Sequence, residues 1–255
     1  MNSSATVKFA PLILLIAIIA LWQAICSIFN VSEFIFPSPV QIVRALFDLW
    51  GAIMGHAWRT FWTTLVGFGI SIAAGVVLGF IIGSSRFAYA AMYPLMTAFN
   101  ALPKAAFVPI LVVWFGIGIG PAILTAFLIS FFPIMVNIAT GLATLEPELE
   151  DVLRVLGARR MDVLIKVGLP RTMPYFFASL KVAITLAFVG TTVSEMSASN
   201  EGIGYLLISA GSAMKMPLAF AGLLVVAVMA MAMYEFFSYI ERHTTAWAHR
   251  GQGAH

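Results

Sequence analysis

Charge is almost missing from six long stretches of this chain, and nothing else constrains its fold as much. Residues 9–29, 60–83 and 121–143 carry no charged side chain. Residues 88–115 carry only Lys104, 174–194 only Lys181, and 216–239 only Glu235. A transmembrane helix needs about 20 mostly apolar residues. In hydrocarbon the backbone must pair its own N–H and C=O groups, so such stretches fold as helices. The chain has 255 residues, 61% of them hydrophobic and 10% charged; an ordinary soluble domain is about a quarter charged. That length accommodates roughly six spans and little else. The expectation is an all-α membrane protein, residues 1–255 forming a single transmembrane domain.

The interruptions carry the detail. The first run is longer than the apolar core of a cleaved leader, so it is expected to be a retained span. Ser38 and Pro39 have the pattern of a helix start, a capping hydroxyl followed by proline at the first helical position. From 40 to 50, Gln41, Arg44 and Asp48 share one face, while Val43, Leu46, Phe47 and Trp50 lie mostly elsewhere, as in a helix at a membrane surface. Gly67, Ser71, Gly75, Gly79 and Gly83 recur every four residues, which allows close approach to another span, expected to be one of the same subunit.

Residues 88–115 are broken by Pro94, Pro103 and Pro109. Irregular backbone at membrane depth persists only against protein or a watery cavity. Lys104 sits beside the central break with Asn100 one turn before it. A membrane-embedded ammonium faces a cavity or a partner. Lys104 and Asn100 are therefore candidates for a substrate path, with a purely structural role as the alternative. Asn137 and Glu195 are weaker candidates; interhelical bonding and a helix-end ion pair are their alternatives. Lys181 is expected to extend its stem to the headgroups.

Residues 145–171 are the exception to this oily background. Glu146, Glu148, Glu150 and Asp151 crowd the first turns of a helix, where negative charge suits the dipole. Leu149, Val152, Leu153 and Leu156 fall on one helical face, and Gly157 follows where a left-handed stop requires glycine. A second short helix is expected from 159 to 167, with Pro170 ending it and Pro174 opening the next span. A charged, helix-forming loop between spans is a docking element for something outside the membrane.

Other chemistries find no support. No G-x-x-x-x-G-K-[ST] loop occurs, so any ATP chemistry is expected on another subunit. The single Cys26 cannot form an internal disulfide. The four histidines show no metal-ligand spacing, and the net charge of +3 is too scattered for nucleic acid. Placing the 145–171 loop inside the cell puts Lys8, Arg86, Arg154, Arg159, Arg160, Lys166, Arg171, Arg242 and Arg250 inside, with Arg44, Arg59 and Lys215 outside. This satisfies the positive-inside rule and makes both termini cytoplasmic.

The loop resembles a motif of inner-membrane permeases of ABC importers: E-A-A, three residues, G, nine residues, I-x-L-P. Here the positions read Asp151-Val152-Leu153, Gly157 and Val167-Gly168-Leu169-Pro170; D-V-L replaces E-A-A. Phe36-Pro37-Ser38-Pro39, the run from Leu102-Pro103 to Trp114-Phe115-Gly116, and Glu195 to Gly202-Ile203-Gly204 are similar to the sulfonate, taurine and nitrate branch. The resemblance implies a type I importer permease fold of six spans, an interfacial helix and a cytoplasmic coupling helix. It implies ATPase contacts through Glu150, Asp151, Leu153, Arg154, Leu156, Gly157, Ala158, Arg159, Leu169 and Pro170. It further implies a second copy of the chain, two cytoplasmic ATPase subunits that carry ATP and Mg, and a periplasmic or lipid-anchored substrate-binding protein. The expected home is a bacterial inner membrane, among membrane lipids. The solute would be a small anion such as a sulfonate, taurine or nitrate. A pyrimidine or vitamin precursor is the alternative; an ATPase-independent secondary carrier would instead show mid-span carboxylates and repeats.

Overall fold

The computed structural model describes residues 3–144, 152, 153 and 155–245, with side chains for all of these but 3–8 and 160. Among the described residues the following α-helices come in order: α1 Ser3–Ile28, α2 Pro39–Asp48, α3 Trp50–Gly83, α4 Arg86–Ala101, α5 Val108–Phe115, α6 Ile119–Ala143, α7 Arg160–Val163, α8 Leu169–Ala198, α9 Ile203–Ser212 and α10 Met216–Thr244. Among the described residues there is no strand. The core is a three-helix stack of α3, α6 and α8 around Phe68, Ile134, Ile184 and Phe188. The small Ala126, Ala183 and Ala187 have no exposed surface and let the helices close up. α10 leans on this stack through Val226, Met229, Met233 and Phe237. α1 stands apart: its apolar side chains from Phe9 to Leu21 are mostly exposed, which suits lipid rather than water.

The glycine stripe of α3 faces α6. A Cβ on Gly67 would come within 2.6 Å of the Ile123 carbonyl, and one on Gly83 within 2.8 Å of the Ala139 carbonyl. Between them the Ser71 and Ser130 hydroxyls meet at 2.7 Å. Rising residue numbers on α3 match rising numbers on α6, so these helices run parallel. The chain between them must therefore return from one end of the bundle to the other. That return is the bent pair α4 and α5, joined by a 3₁₀ turn at Lys104–Phe107 and angled at 73°. The pair is a broken span rather than a re-entrant loop, and with the five long apolar helices it makes six passages.

Three boundaries differ from expectation. α3 begins at Trp50 rather than near residue 60. Its polar His56 and Arg59 occupy an end that extends past the hydrocarbon: 34 residues span about 51 Å, against a core of about 30 Å. Pro170 does not end a helix and Pro174 does not start one. A π turn at Leu164–Gly168, closed by Leu169 N–H on the Leu164 carbonyl, runs directly into α8. Proline crowds the carbonyl four residues back and offers no N–H; a wider turn absorbs both problems. Lys181 does not extend toward headgroups: its ammonium pairs with Glu241 of α10 and lies 5.8 Å from the Tyr234 ring.

α2 starts as its sequence implies. The Ser38 hydroxyl accepts from Gln41 N–H at 3.4 Å, and the Gln41 side chain accepts from Ser38 N–H at 2.8 Å. Ile42 is buried against Ile53, Ile203 and Ala221, while Val43 and Phe47 remain exposed. Arg44, Asp48, Glu33 and Lys215 help line a cleft of about 430 Å³ beside it, together with Phe34, Leu49 and Leu218.

Candidate functional site

One end of the bundle carries a projecting knuckle. Val152, Leu153 and Val155 belong to a helical turn, with Leu156 N–H on the Val152 carbonyl at 3.2 Å. Gly157 then takes φ +89°, and Ala158 N–H reaches back to the Leu153 carbonyl at 3.0 Å. This is the six-to-one bond of a left-handed helix stop, a geometry only glycine adopts without strain. The Asp162 carboxylate accepts from Arg159 N–H at 3.2 Å and so caps α7. Of the predicted apolar face, Val152 and Leu156 are exposed, Leu156 at 76%, Leu153 is half-buried and Leu149 lies outside the described residues; Val155, which the sequence pattern does not place on that face, is 88% exposed. Ala158 and Leu169 are half-buried, and Arg159 and Pro170 exposed. Glu150, Asp151 and Arg154 lie outside the described residues.

The opposite end is closed by a clamp. Glu195, 2% exposed, accepts from the Thr60 hydroxyl at 2.8 and 3.0 Å and from Gly204 N–H at 3.0 Å. Thr60 in turn accepts from Ile203 N–H at 2.8 Å. His56 accepts from Gly202 N–H at 3.1 Å, and Arg59 pairs with Glu201 at 2.9 Å. One carboxyl group thus joins α3, α8 and the start of α9. Gly202 and Gly204 are required by proximity: a Cβ on Gly202 would run into the Glu195 carboxyl, and one on Gly204 into the Thr192 carbonyl. Gly118 N–H on the Ala198 carbonyl, at 2.8 Å, brings the α5–α6 turn to the same end. Sequence reasoning missed Thr60 and His56 in this cluster. The available signal was a carboxylate followed by Gly202 and Gly204, whose bare backbones can approach it.

The broken span holds the third feature. The Lys104 ammonium donates to the Asn100 carbonyl at 2.8 Å and to its Oδ1 at 3.1 Å, and lies 5.1 Å from the Phe132 ring centre. Lys104 and Asn100 are therefore together, as the spacing predicts. Asn137 is elsewhere, its amide folded back onto the Pro133 carbonyl at 2.8 Å, and Glu195 is at the clamp. Among the described residues no three His, Cys, Asp or Glu side chains gather in a metal-binding group.

Residues 75–246 match the family described as "Binding-protein-dependent transport system inner membrane component". The chain is 27% identical to the formylaminopyrimidine transport permease protein of Halalkalibacterium halodurans, over 93% of this chain and 95% of that one. It is 30% identical to the nitrate import permease protein of Leptolyngbya laminosa, over 74% and 71%. In fold it is similar to a chain of the MetNI methionine ABC transporter in an inward-facing conformation. That match has a TM-score of 0.61 at 19% identity and covers 78% of this chain and 97% of the other.

Proposed function

The chain belongs to the family of binding-protein-dependent transport system inner membrane components, the multi-pass permeases of ABC importers, and we propose that it moves a small anion from periplasm to cytoplasm. Two copies pair, because six spans alone barely enclose a path. Each docks one cytoplasmic ATPase, which carries ATP and Mg and does the hydrolysis; this chain binds no cofactor of its own. A periplasmic or lipid-anchored binding protein delivers solute to the clamp end. Both termini are then cytoplasmic.

The observation that carries this reading is the knuckle. Large apolar side chains at 88% and 76% exposure stand on a capped turn, at the end of the bundle that collects most of the basic residues. An isolated exposed apolar residue needs no explanation, but a rigid group of them marks an interaction surface. Glu150, Asp151, Leu153, Arg154, Leu156, Gly157, Ala158, Arg159, Leu169 and Pro170 form the coupling element, so closure of the ATPases drags the knuckle and rocks the bundle. Lys104 and Asn100 lie on the solute path, Asn137 supports it, and Glu195 keeps the clamp end shut.

For the solute, the nitrate permease relative and the lysine in the broken span favour an anion: a sulfonate, taurine or nitrate. The formylaminopyrimidine permease relative supports a second reading, a pyrimidine or vitamin precursor. Crosslinking from Val155→Cys in native membranes tests the docking role; a nucleotide-hydrolysing protein should be captured. Capture of none, or normally coupled uptake in Gly157→Val, would overturn it.

A further inference from the structure

The cleft of about 430 Å³ beside α2 is charged from three separate segments. Glu33 comes from the loop before α2, Arg44 and Asp48 lie one turn apart on α2, and Lys215 immediately precedes α10. None of the four takes part in an ion pair with a described residue. Arg59 and Glu201, at the same end of the bundle, do pair. Glu33 accepts from the Gln41 amide at 3.1 Å; the side chains of Arg44, Asp48 and Lys215 make no hydrogen bond to a described residue. The cleft thus presents two cations and two anions that do not neutralise one another.

Lys215 is fixed there by a strained turn. Its N–H reaches the Ala210 carbonyl at 2.8 Å, and Met214 N–H reaches the Gly211 carbonyl at 3.1 Å. These are the paired bonds of a helix stop that usually places glycine in the left-handed position. Met214 takes it instead, at φ +58°, a cost of about 1 kcal/mol. Its side chain lines the cleft, which glycine could not do.

The contacts of α1 place the cleft at headgroup depth. Val40 N–H, in the first turn of α2, donates to the Gln23 side chain of α1 at 3.3 Å. The Phe36 ring lies 5.2 Å from Trp22 and 5.8 Å from Phe220. Gln23 is six residues short of the end of the charge-free stretch 9–29, about 9 Å along a helix. α2 therefore starts within the layer that α1 crosses, and its charges stand at the boundary. A lipid already occupies that depth, whereas a soluble protein would have to enter it. Phe34, Leu49 and Leu218 supply apolar wall, and Val43 and Phe47 are exposed alongside.

We propose that this cleft binds a phospholipid with a phosphoethanolamine headgroup. The phosphate accepts charge-assisted bonds from Arg44 and Lys215, and the primary ammonium donates to Asp48 and Glu33. A trimethylammonium headgroup has no N–H to donate, and a glycerol headgroup has no cation. The site is separate from the solute path and does not rest on the importer reading.

The full-length permease in dodecyl maltoside is incubated with equal amounts of dioleoyl phosphatidylethanolamine, phosphatidylcholine and phosphatidylglycerol, and retained lipid is counted by native mass spectrometry. Phosphatidylethanolamine should be retained about fivefold over either competitor. Arg44→Ala with Lys215→Ala should cut its retention about fivefold. Glu33→Gln with Asp48→Asn should let phosphatidylglycerol bind as well as phosphatidylethanolamine. A photoreactive phosphatidylethanolamine should label residues 33–49 or 214–218 of the unaltered protein, a readout that needs no variant to fold. Equal retention of the three lipids, labelling elsewhere, or an unchanged preference in both double variants would overturn the proposal. So would displacement of the lipid by equimolar glycerophosphoethanolamine, which would make the ligand a soluble zwitterion. Arg44→Ala with Lys215→Ala that kept its lipid but lost stimulation by a binding protein would make the cleft a protein contact, and would also overturn it.

Discussion

At the clamp end, Glu195 is 2% exposed and joins three helical segments through Thr60, Ile203 and Gly204. At the knuckle end, Val155 is 88% exposed and has no apolar cover from this chain. The Glu195, Thr60 and Gly204 groups of the first end are satisfied internally, and the apolar Val155 and Leu156 of the second stand exposed. The difference separates what holds the permease together from what it is used for. Damage at the clamp should be felt as lost stability, and damage at the knuckle as lost coupling in a protein that still folds.

The hardest test of that division is Gly204→Leu. Its side chain would collide with the Thr192 carbonyl and the Glu195 stem, at a cost of about 3 kcal/mol. Monodisperse yield and the midpoint of thermal unfolding in detergent should both fall sharply; a wild-type midpoint would mean that the loop does not rest on Glu195. Glu195→Ala should come next, at about 2 kcal/mol, because it leaves the Thr60 hydroxyl and Gly204 N–H buried without an acceptor. Glu195→Gln keeps an acceptor oxygen and should lose less, as measured by the same melt. Arg59→Ala removes a pair whose side chains are 47% and 61% exposed, and should cost about 1 kcal/mol or less. Smallest of all on this scale is Leu156→Ser, within about 0.5 kcal/mol of the parent. Yet it should abolish co-purification of the ATPase and ATP-driven uptake. If Leu156→Ser lowered the melt as Glu195→Ala does, the division between the two ends would fail.

The spans were legible because hydropathy is a property of neighbours in the chain. The glycine stripe of α3 was legible for the same reason: its spacing alone predicts a close helix contact, and α6 provides it. What escaped reading depends on distant partners or on cooperative backbone geometry. The Lys181 pairing with Glu241 joins α8 to α10 across 60 positions, and no local pattern announces it. His56 and Arg59 look like loop residues until α3 is seen to extend beyond the hydrocarbon. Pro170 and Pro174 look like stops because their effect on a regular helix is local and known; the π turn that accommodates Pro170 arises only in the folded backbone. At the candidate sites, the pairing of Asn100 with Lys104 followed from their four-residue spacing. Thr60 could not be linked to Glu195 without the fold.

The π turn at Leu164–Gly168 has a consequence for how the two ends are aimed at each other. One residue more than an α-helical turn would use is inserted between the knuckle and α8, so the joint sets an azimuth as well as a distance. Removing a single residue from it would let the ladder revert to regular winding and swing the knuckle roughly 100° around the α8 axis. The bundle would keep its oiliness and its clamp, but the exposed Val155 and Leu156 would face another way.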